Sequence, residues 1–225
     1  QGRSDTVLGI GKDNATFDTT GQVQVTLPPH TILSTLDGQS GYALYDNPGP
    51  CLEYVEKNRP NVVKRLGELR GTQLYGSETH MGIFPNLQII QGLNLLRVIH
   101  PKGPGSFEVA TFSMADKNTP DDVKEIITKH VGQTFGTAGI LEGDDGDFTE
   151  AITHSADGYA TRQMKGWLGM GEGRTIEWEG PGDASPGIVN ELCQREFYQQ
   201  WKRTMTANNV AEIIPVQKST QKGGI

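Results

Sequence analysis

The chain has 225 residues, with 20 Lys+Arg against 27 Asp+Glu and a formal net charge of -7. That length suits one large domain, and the acidic balance offers no general attraction to phosphate backbones or anionic membranes, so nucleic acid is not an expected partner. No apolar run approaches the roughly 20 residues of a membrane span, and two cysteines, Cys51 and Cys193, exclude a disulfide scaffold or a Cys-based zinc or iron–sulfur site within the chain.

The first residues, QGRSDTVLGIG, lack the basic start and apolar core of a signal peptide, and a cytoplasmic location is expected. The chain begins at Gln1 without a methionine, as a piece of something longer would. Residues 1–22 are rich in Gly, Asp, Thr and Asn and read as a loop-rich leading segment. From Val23 the pattern alternates in VQVTL, TILSTL and GYALY, three short half-buried strands. DNPGP (46–50) reads as a turn. Leu52, Val55, Val62, Val63, Leu66 and Leu69 then recur at helical spacing, with Pro60 expected to break or kink that helix and Gly71 to end it.

GIFPNLQIIQ, NLLRVIH and SFEVATFSM read as three strands over 82–113, joined by turns at Gly92 and PKGPG. Such short turns force an antiparallel meander. At 119 the period changes from two to 3.6. Thr119 is expected to cap, Pro120 to take the first helical position, and Asp121 and Asp122 to sit where the helix dipole favours anions. A second helical run extends from Phe135 to about His154 and carries Gly136, Gly139, Gly143 and Gly146. Residues 156–187 are turn-prone. A last helix over about 189–206 puts Cys193, Phe197, Trp201 and Met205 on one stripe. The expected organisation is a leading segment (1–22), one α+β domain (23–206) and a C-terminal tail (207–225) that frays.

Between Lys129 and Arg162 there is no lysine or arginine, yet Glu142, Asp144, Asp145, Asp147, Glu150 and Asp157 lie in that span. On a helix, Glu142 and Asp145 share a face, as do Asp147 and Glu150, and like charges at that spacing repel. Three readings stand side by side: a solvated acidic face, a calcium loop, and a carboxylate ligand for a transition metal on a helix whose glycines permit close packing. DDGDFTE lacks the spacing of an EF-hand loop. Transition metals favour imidazole, but His30, His80, His100, His130 and His154 form no H-x3-H, H-x4-H or H-E-x-x-H pair. The residues alone do not write a complete metal site.

Taken together, THMGIFPNLQIIQGLNLLRVIHPKGPGSFEVATFSMAD, the helix starting TPDDVKEII, TFGTAGILEGDDGDFTEA and the later REFYQQWKRTM resemble the catalytic domain of Rieske-type aromatic-ring-hydroxylating dioxygenase alpha subunits. The resemblance spans about residues 40–205, and F-G-x-A-G-x-x-E-x-D-D-x-D is its most specific part. It implies a helix-grip fold, an antiparallel sheet around a long helix enclosing an apolar substrate cavity. It implies a mononuclear Fe(II) held by two histidines and one aspartate, the aspartate being Asp145. His80 resembles a cavity residue that orients substrate. Ile83, Ile90, Phe135 and Leu141 resemble pocket-wall residues, for which ordinary core packing is the alternative.

The implied chemistry is cis-dihydroxylation of an aromatic compound by dioxygen, with electrons from NAD(P)H passing through a reductase or ferredoxin and a [2Fe–2S] Rieske cluster. A small beta subunit and an α3β3 or α3 oligomer are the implied partners. This sequence departs from the family in having neither the D-x-Y-H-x4/5-H iron motif nor the C-x-H and C-x2-H pairs of the Rieske domain, so it resembles the C-terminal half of an alpha subunit. Phe148 follows Asp147 directly, one residue short of the family's form, which rotates Thr149 onward by about 100° on a helix. A non-catalytic helix-grip module binding an apolar aromatic ligand, or an inactive fragment, is the alternative function.

Overall fold

The computed structural model describes residues 22–35, 42, 45–68, 71, 75, 78–177, 182–187 and 190–213. The expectations for residues 1–21, for most of GYALY and for the QKSTQKGGI tail lie outside them. Seven strands form one antiparallel sheet: β1 (Gln22–Leu27), β2 (His30–Thr35), β3 (Thr79–Ile83), β4 (Leu87–Gln91), β5 (Leu95–Gly103), β6 (Ser106–Ser113) and β7 (Ala184–Pro186). The spatial order is β6-β5-β4-β3-β2-β1-β7. The helices are α1 (Gly49–Leu66), α2 (Asp121–Phe135), α3 (Ile140–Ala156), α4 (Tyr159–Gln163), α5 (Leu192–Thr206) and α6 (Val210–Ile213). The fold is α+β, as the change of period at 119 implies.

The 82–91 segment is two strands rather than one. Pro85 has no N–H to donate, and Asn86 closes the turn against β5: its backbone O accepts from Ile99 N at 2.9 Å, and its Nδ2 donates to Ile99 O at 2.9 Å. Tyr42 and Tyr45 lie in a turn, with Tyr45 N donating to Tyr42 O, and not in a strand.

Helix α1 runs through Pro60 without ending there, and Gly67, at φ 86, terminates it. Thr119 does not cap α2. Its hydroxyl donates to Tyr54 OH at 3.3 Å, tying α2 to α1, and Asp121 and Asp122 occupy the first turn.

One core cluster joins the layers. Leu95 and Ile90 from the sheet, Cys51 and Val55 from α1, and Val123, Ile127, Val131 and Phe135 from α2 are all buried in it. The i, i+4 spacing along α2 turns one side of that helix to the sheet. Helix α5 packs against β1 and β2, but its buried face holds Leu192, Glu196 and Gln200. The stripe expected to be inside is largely outside: Phe197, Trp201 and Met205 are exposed, and only Cys193 is tucked against Ile32 O, at 3.8 Å. The polar residues take the inner side because each finds a partner there. Gln200 Nε2 donates to Ile213 O at 2.9 Å, and Arg203 donates to Gln200 Oε1 and Glu196 Oε1. No described helix is long and apolar enough to cross a membrane.

Candidate functional site

Strand register assigns the faces. One row across the sheet reads Leu33, His80, Ile90, Leu95 and Ser113, and the next reads Thr31, Gly82, Gln88, Arg97 and Thr111. Alternation puts both rows on the same side. His80 and Ile90 are therefore direct cross-strand neighbours, and Arg97 shares their face one row away. Ile83 pairs with Leu87 and belongs with Thr79 and Met81 on the opposite side. The structure thus brings His80 and Ile90 together and separates Ile83 from them.

Helices α2 and α3 meet at the F-G-x-A-G segment. A side chain at Gly139 would collide with Thr134 O, and one at Gly136 with Gly132 O, so the tight turn between the helices requires glycine at both positions for space. Gly143 and Gly146 have nothing near them among the described residues, so these two do not serve close packing there. Helix α3 has no fully buried residue. Leu141 packs against the core cluster that contains Ile90 and Phe135, so three of the four expected wall residues meet in one apolar cluster.

The acidic run is answered from the sheet. Arg97, only 9% exposed, donates from Nη2 to Glu142 Oε1 at 2.8 Å and Oε2 at 2.6 Å. Its Nη1 stands 3.7 Å from Asp145 Oδ2. Its guanidinium carbon lies 5.3 Å from the Phe135 ring centroid. The basic residue absent from the helix thus comes from 45 positions earlier in the chain. Arg97 was missed by sequence reasoning. Its signal was an arginine at the same inward parity as Leu95 in a strand with an otherwise apolar inner side, beside a helix with uncompensated acids.

Asp145 keeps 58% of its side chain exposed, whereas Glu142 is largely covered and engaged by both oxygens. Asp144, Asp147 and Phe148 are exposed, and Thr149 Oγ1 donates back to Asp145 O, so α3 continues through the position of the missing residue without a break.

The histidines take other roles. His80 Nε2 lies 2.6 Å from Glu78 Oε1, an interaction that fixes its ring. His130 is buried in the core and stacks on Tyr45 at 3.9 Å. His154 lies 3.6 Å from Glu150 on the exposed side of α3. His100 is exposed on β5. Among the described residues no group of three or more His, Cys, Asp and Glu side chains could hold a metal ion. The described residues therefore do not by themselves fit an iron site.

A separate cleft of about 380 Å³ opens between the 46–50 turn and α2, lined by Asp46, Asn47, Asp122, Glu125, Lys129 and Gln133 among others. Pro50 and Ile126 also line it, and Ile83, Ile90, Phe135 and Leu141 take no part in it.

No protein-family model matches the sequence. Among curated proteins, the chain is 35% identical over 155 residues to the chlorobenzene dioxygenase subunit alpha of Cupriavidus sp. strain PS12, covering 68% of this chain and 34% of that protein. It is 33% identical over 172 residues to the biphenyl 2,3-dioxygenase subunit alpha of Rhodococcus jostii strain RHA1, covering 75% and 35%. Among solved structures, naphthalene 1,2-dioxygenase with indole bound in the active site superposes with a TM-score of 0.81 at 23% identity, over 94% of this chain and 49% of that one. The chain spans about a third of the length of the curated relatives it matches and about half of the solved chains.

Proposed function

Because this chain carries the catalytic-domain sequence and fold of the aromatic dioxygenase alpha subunits, we propose that it forms the substrate pocket and supplies the iron carboxylate of an aromatic-ring-hydroxylating dioxygenase. The observation that carries the reading is Asp145, presented by α3 behind the F-G-x-A-G turn. Its carboxylate stays open while the neighbouring Glu142 is engaged. Asp145 would be one iron ligand, with imidazoles supplied from residues other than those described. Bound there, Fe(II) would supply the activation of dioxygen, since a carboxylate and two imidazoles leave coordination positions open.

The protein's own side chains do the rest. His80, oriented by Glu78, stands beside Ile90 and presents a polar group at the edge of an apolar patch. That arrangement suits orienting an aromatic ring. Ile90, Phe135 and Leu141 form the apolar wall, and Ile83 lines the opposite side of β3. Arg97 is taken up by Glu142, which favours an uncharged aromatic substrate over a carboxylated one. The reaction is cis-dihydroxylation of an aromatic ring, dependent on O2 and NAD(P)H. A reductase or ferredoxin and a Rieske cluster would deliver electrons, and beta subunits would complete the oligomer in the cytoplasm. These partners rest on the kinship with alpha subunits.

The test is Asp145→Ala in the protein that contains this chain. Iron content should fall to background, turnover should be lost, and the melting temperature should stay within a few degrees, because the side chain is mostly exposed. Full iron occupancy in the variant refutes the assignment. Tight binding of an aromatic hydrocarbon to a wild-type protein that takes up no iron would leave a ligand-binding module instead.

A further inference from the structure

We propose that Glu78 sets His80 as a hydrogen-bond acceptor at the edge of the apolar wall. The site then takes an uncharged aromatic ring bearing an O–H or N–H in preference to the bare hydrocarbon. The inference rests on reading Ile90, Phe135 and Leu141 as a substrate wall, and no metal enters it.

Glu78 stands immediately before β3, two residues ahead of His80, and the two side chains meet at 2.6 Å between Oε1 and Nε2. An ionised carboxylate can only accept, so Nε2 is the donor of this bond. A neutral imidazole carries a single N–H, and which nitrogen holds it is set by the bond the other partner demands. With the hydrogen committed to Nε2, Nδ1 is left as a bare lone pair. Among the described residues Nδ1 has no hydrogen-bond partner.

The neighbours of that lone pair are apolar. His80 pairs with Leu33 on one side and Ile90 on the other, and Leu95, next to Ile90 on β5, is fully buried. None of these side chains can donate. Arg97, one row away, is engaged by Glu142 through Nη2 and faces Asp145 through Nη1. The His80 side chain keeps 40% of its surface, against 21% for Glu78, so the ring is within reach of a ligand while the carboxylate that orients it is more covered. An acceptor beside an apolar wall loses its water when a ring settles there, and a ligand that leaves it unanswered is disfavoured. A hydroxyl or amino group on the ring answers it. A carboxylated ring instead brings a second anion towards Glu78.

The experiment uses the protein that contains this chain, with His80→Phe and Glu78→Gln. Three probes are compared: 1-naphthol, 1-methylnaphthalene and 1-methoxynaphthalene, which accepts but cannot donate. Affinities are read by equilibrium dialysis at about pH 7.5, where a phenol is un-ionised. The ratio of naphthol to methylnaphthalene affinity should be about 3- to 10-fold larger in the wild type than in His80→Phe, a comparison in which the different water solubilities of the probes cancel. The methoxy compound should show no such gain. Glu78→Gln should lower the ratio towards that of His80→Phe, because a side-chain amide donates as well as accepts and no longer excludes a proton from Nδ1.

A surface ion pair without a ligand role would leave the His80 ring unaware of the probes. The ring ¹⁵N spectrum, assigned by the signals lost in His80→Phe, should show one protonated and one bare nitrogen, and 1-naphthol should move the bare one while 1-methylnaphthalene does not. Two protonated nitrogens, or a ratio equal in wild type and His80→Phe, overturn the inference. If His80→Phe does not fold, an unchanged ratio in Glu78→Gln overturns it. The two readings part on the hydrocarbon: if 1-methylnaphthalene binds and the ratio ignores His80, the wall stands and the acceptor role falls. If no probe binds the wild type, both fall.

Discussion

At Asn94 one side chain serves two tyrosines while its backbone takes a conformation most residues avoid. Its φ is 56, in the turn between β4 and β5. Tyr42 OH donates to its Oδ1 at 3.2 Å, and its Nδ2 donates to Tyr45 OH at 3.1 Å. Burial pushes the Tyr42 phenol up to about 12 and also raises Tyr45, so both rings are neutral in the core at ordinary pH. Tyr45 in turn stacks on His130 of α2. Asn94→Ala removes both bonds and puts a Cβ-bearing residue without a compensating side chain into the left-handed region. A loss of about 2–4 kcal/mol in denaturant melts is expected. Asn94→Gly keeps the backbone at ease and should lose about half as much. Equal losses in the two would assign the whole effect to the hydrogen bonds, and no loss in Asn94→Ala would remove the network from the core's account.

At the scale of elements, α1 is the case in which a strong local rule yields to context. Pro60 lies well inside an 18-residue helix that continues to Leu66. A proline there removes one backbone bond and crowds the preceding turn, at a cost of about 3 kcal/mol. Its stiffening of the unfolded chain returns about 0.4–1 kcal/mol. Cys51 and Val55, buried ahead of it, dock the first half of the helix, and Arg59 bonds to Gly71 O at 3.0 Å beside it. Pro60→Ala should therefore stabilise the protein by about 2–2.5 kcal/mol, read as a higher denaturation midpoint. A loss instead would mean that Pro60 is needed to bring Arg59 to Gly71 O and Tyr75 O.

Helix α5 misleads a sequence reader for a related reason. Its apolar stripe at i+4 is real, but the partners that satisfy Glu196 and Gln200 come from within α5 and from α6, a four-residue helix that no hydrophobic pattern announces. The meander and α2 were legible because each buries its own periodic face, and the 82–91 hairpin was missed because Phe84-Pro85-Asn86 interrupts an otherwise continuous apolar run.

Over the whole molecule, the candidate site was legible as a motif and not as a geometry. Asp145 stood out as an acid without a neighbouring base. The base that answers it lies 48 residues earlier, across the sheet, where no local pattern connects the two. The same helix leaves an apolar side uncovered. Phe148 is 69% exposed and Ile152 53%, and beyond them Tyr159, Met164 and Trp167 are each more than 70% exposed. Exposed apolar side chains grouped this way draw surfaces together. The 225-residue chain prepared by itself is expected to associate at concentrations of about 10–100 µM, seen as rising sedimentation coefficients and as dye binding. Phe148→Glu with Ile152→Glu should restore a monomer while changing stability by no more than about 0.5 kcal/mol each, since neither side chain is buried. A wild-type chain that stays monomeric and binds no dye would mean that these side chains find cover within the chain itself. The exposed side of α3 would then be closed in solution, and Asp145 with it.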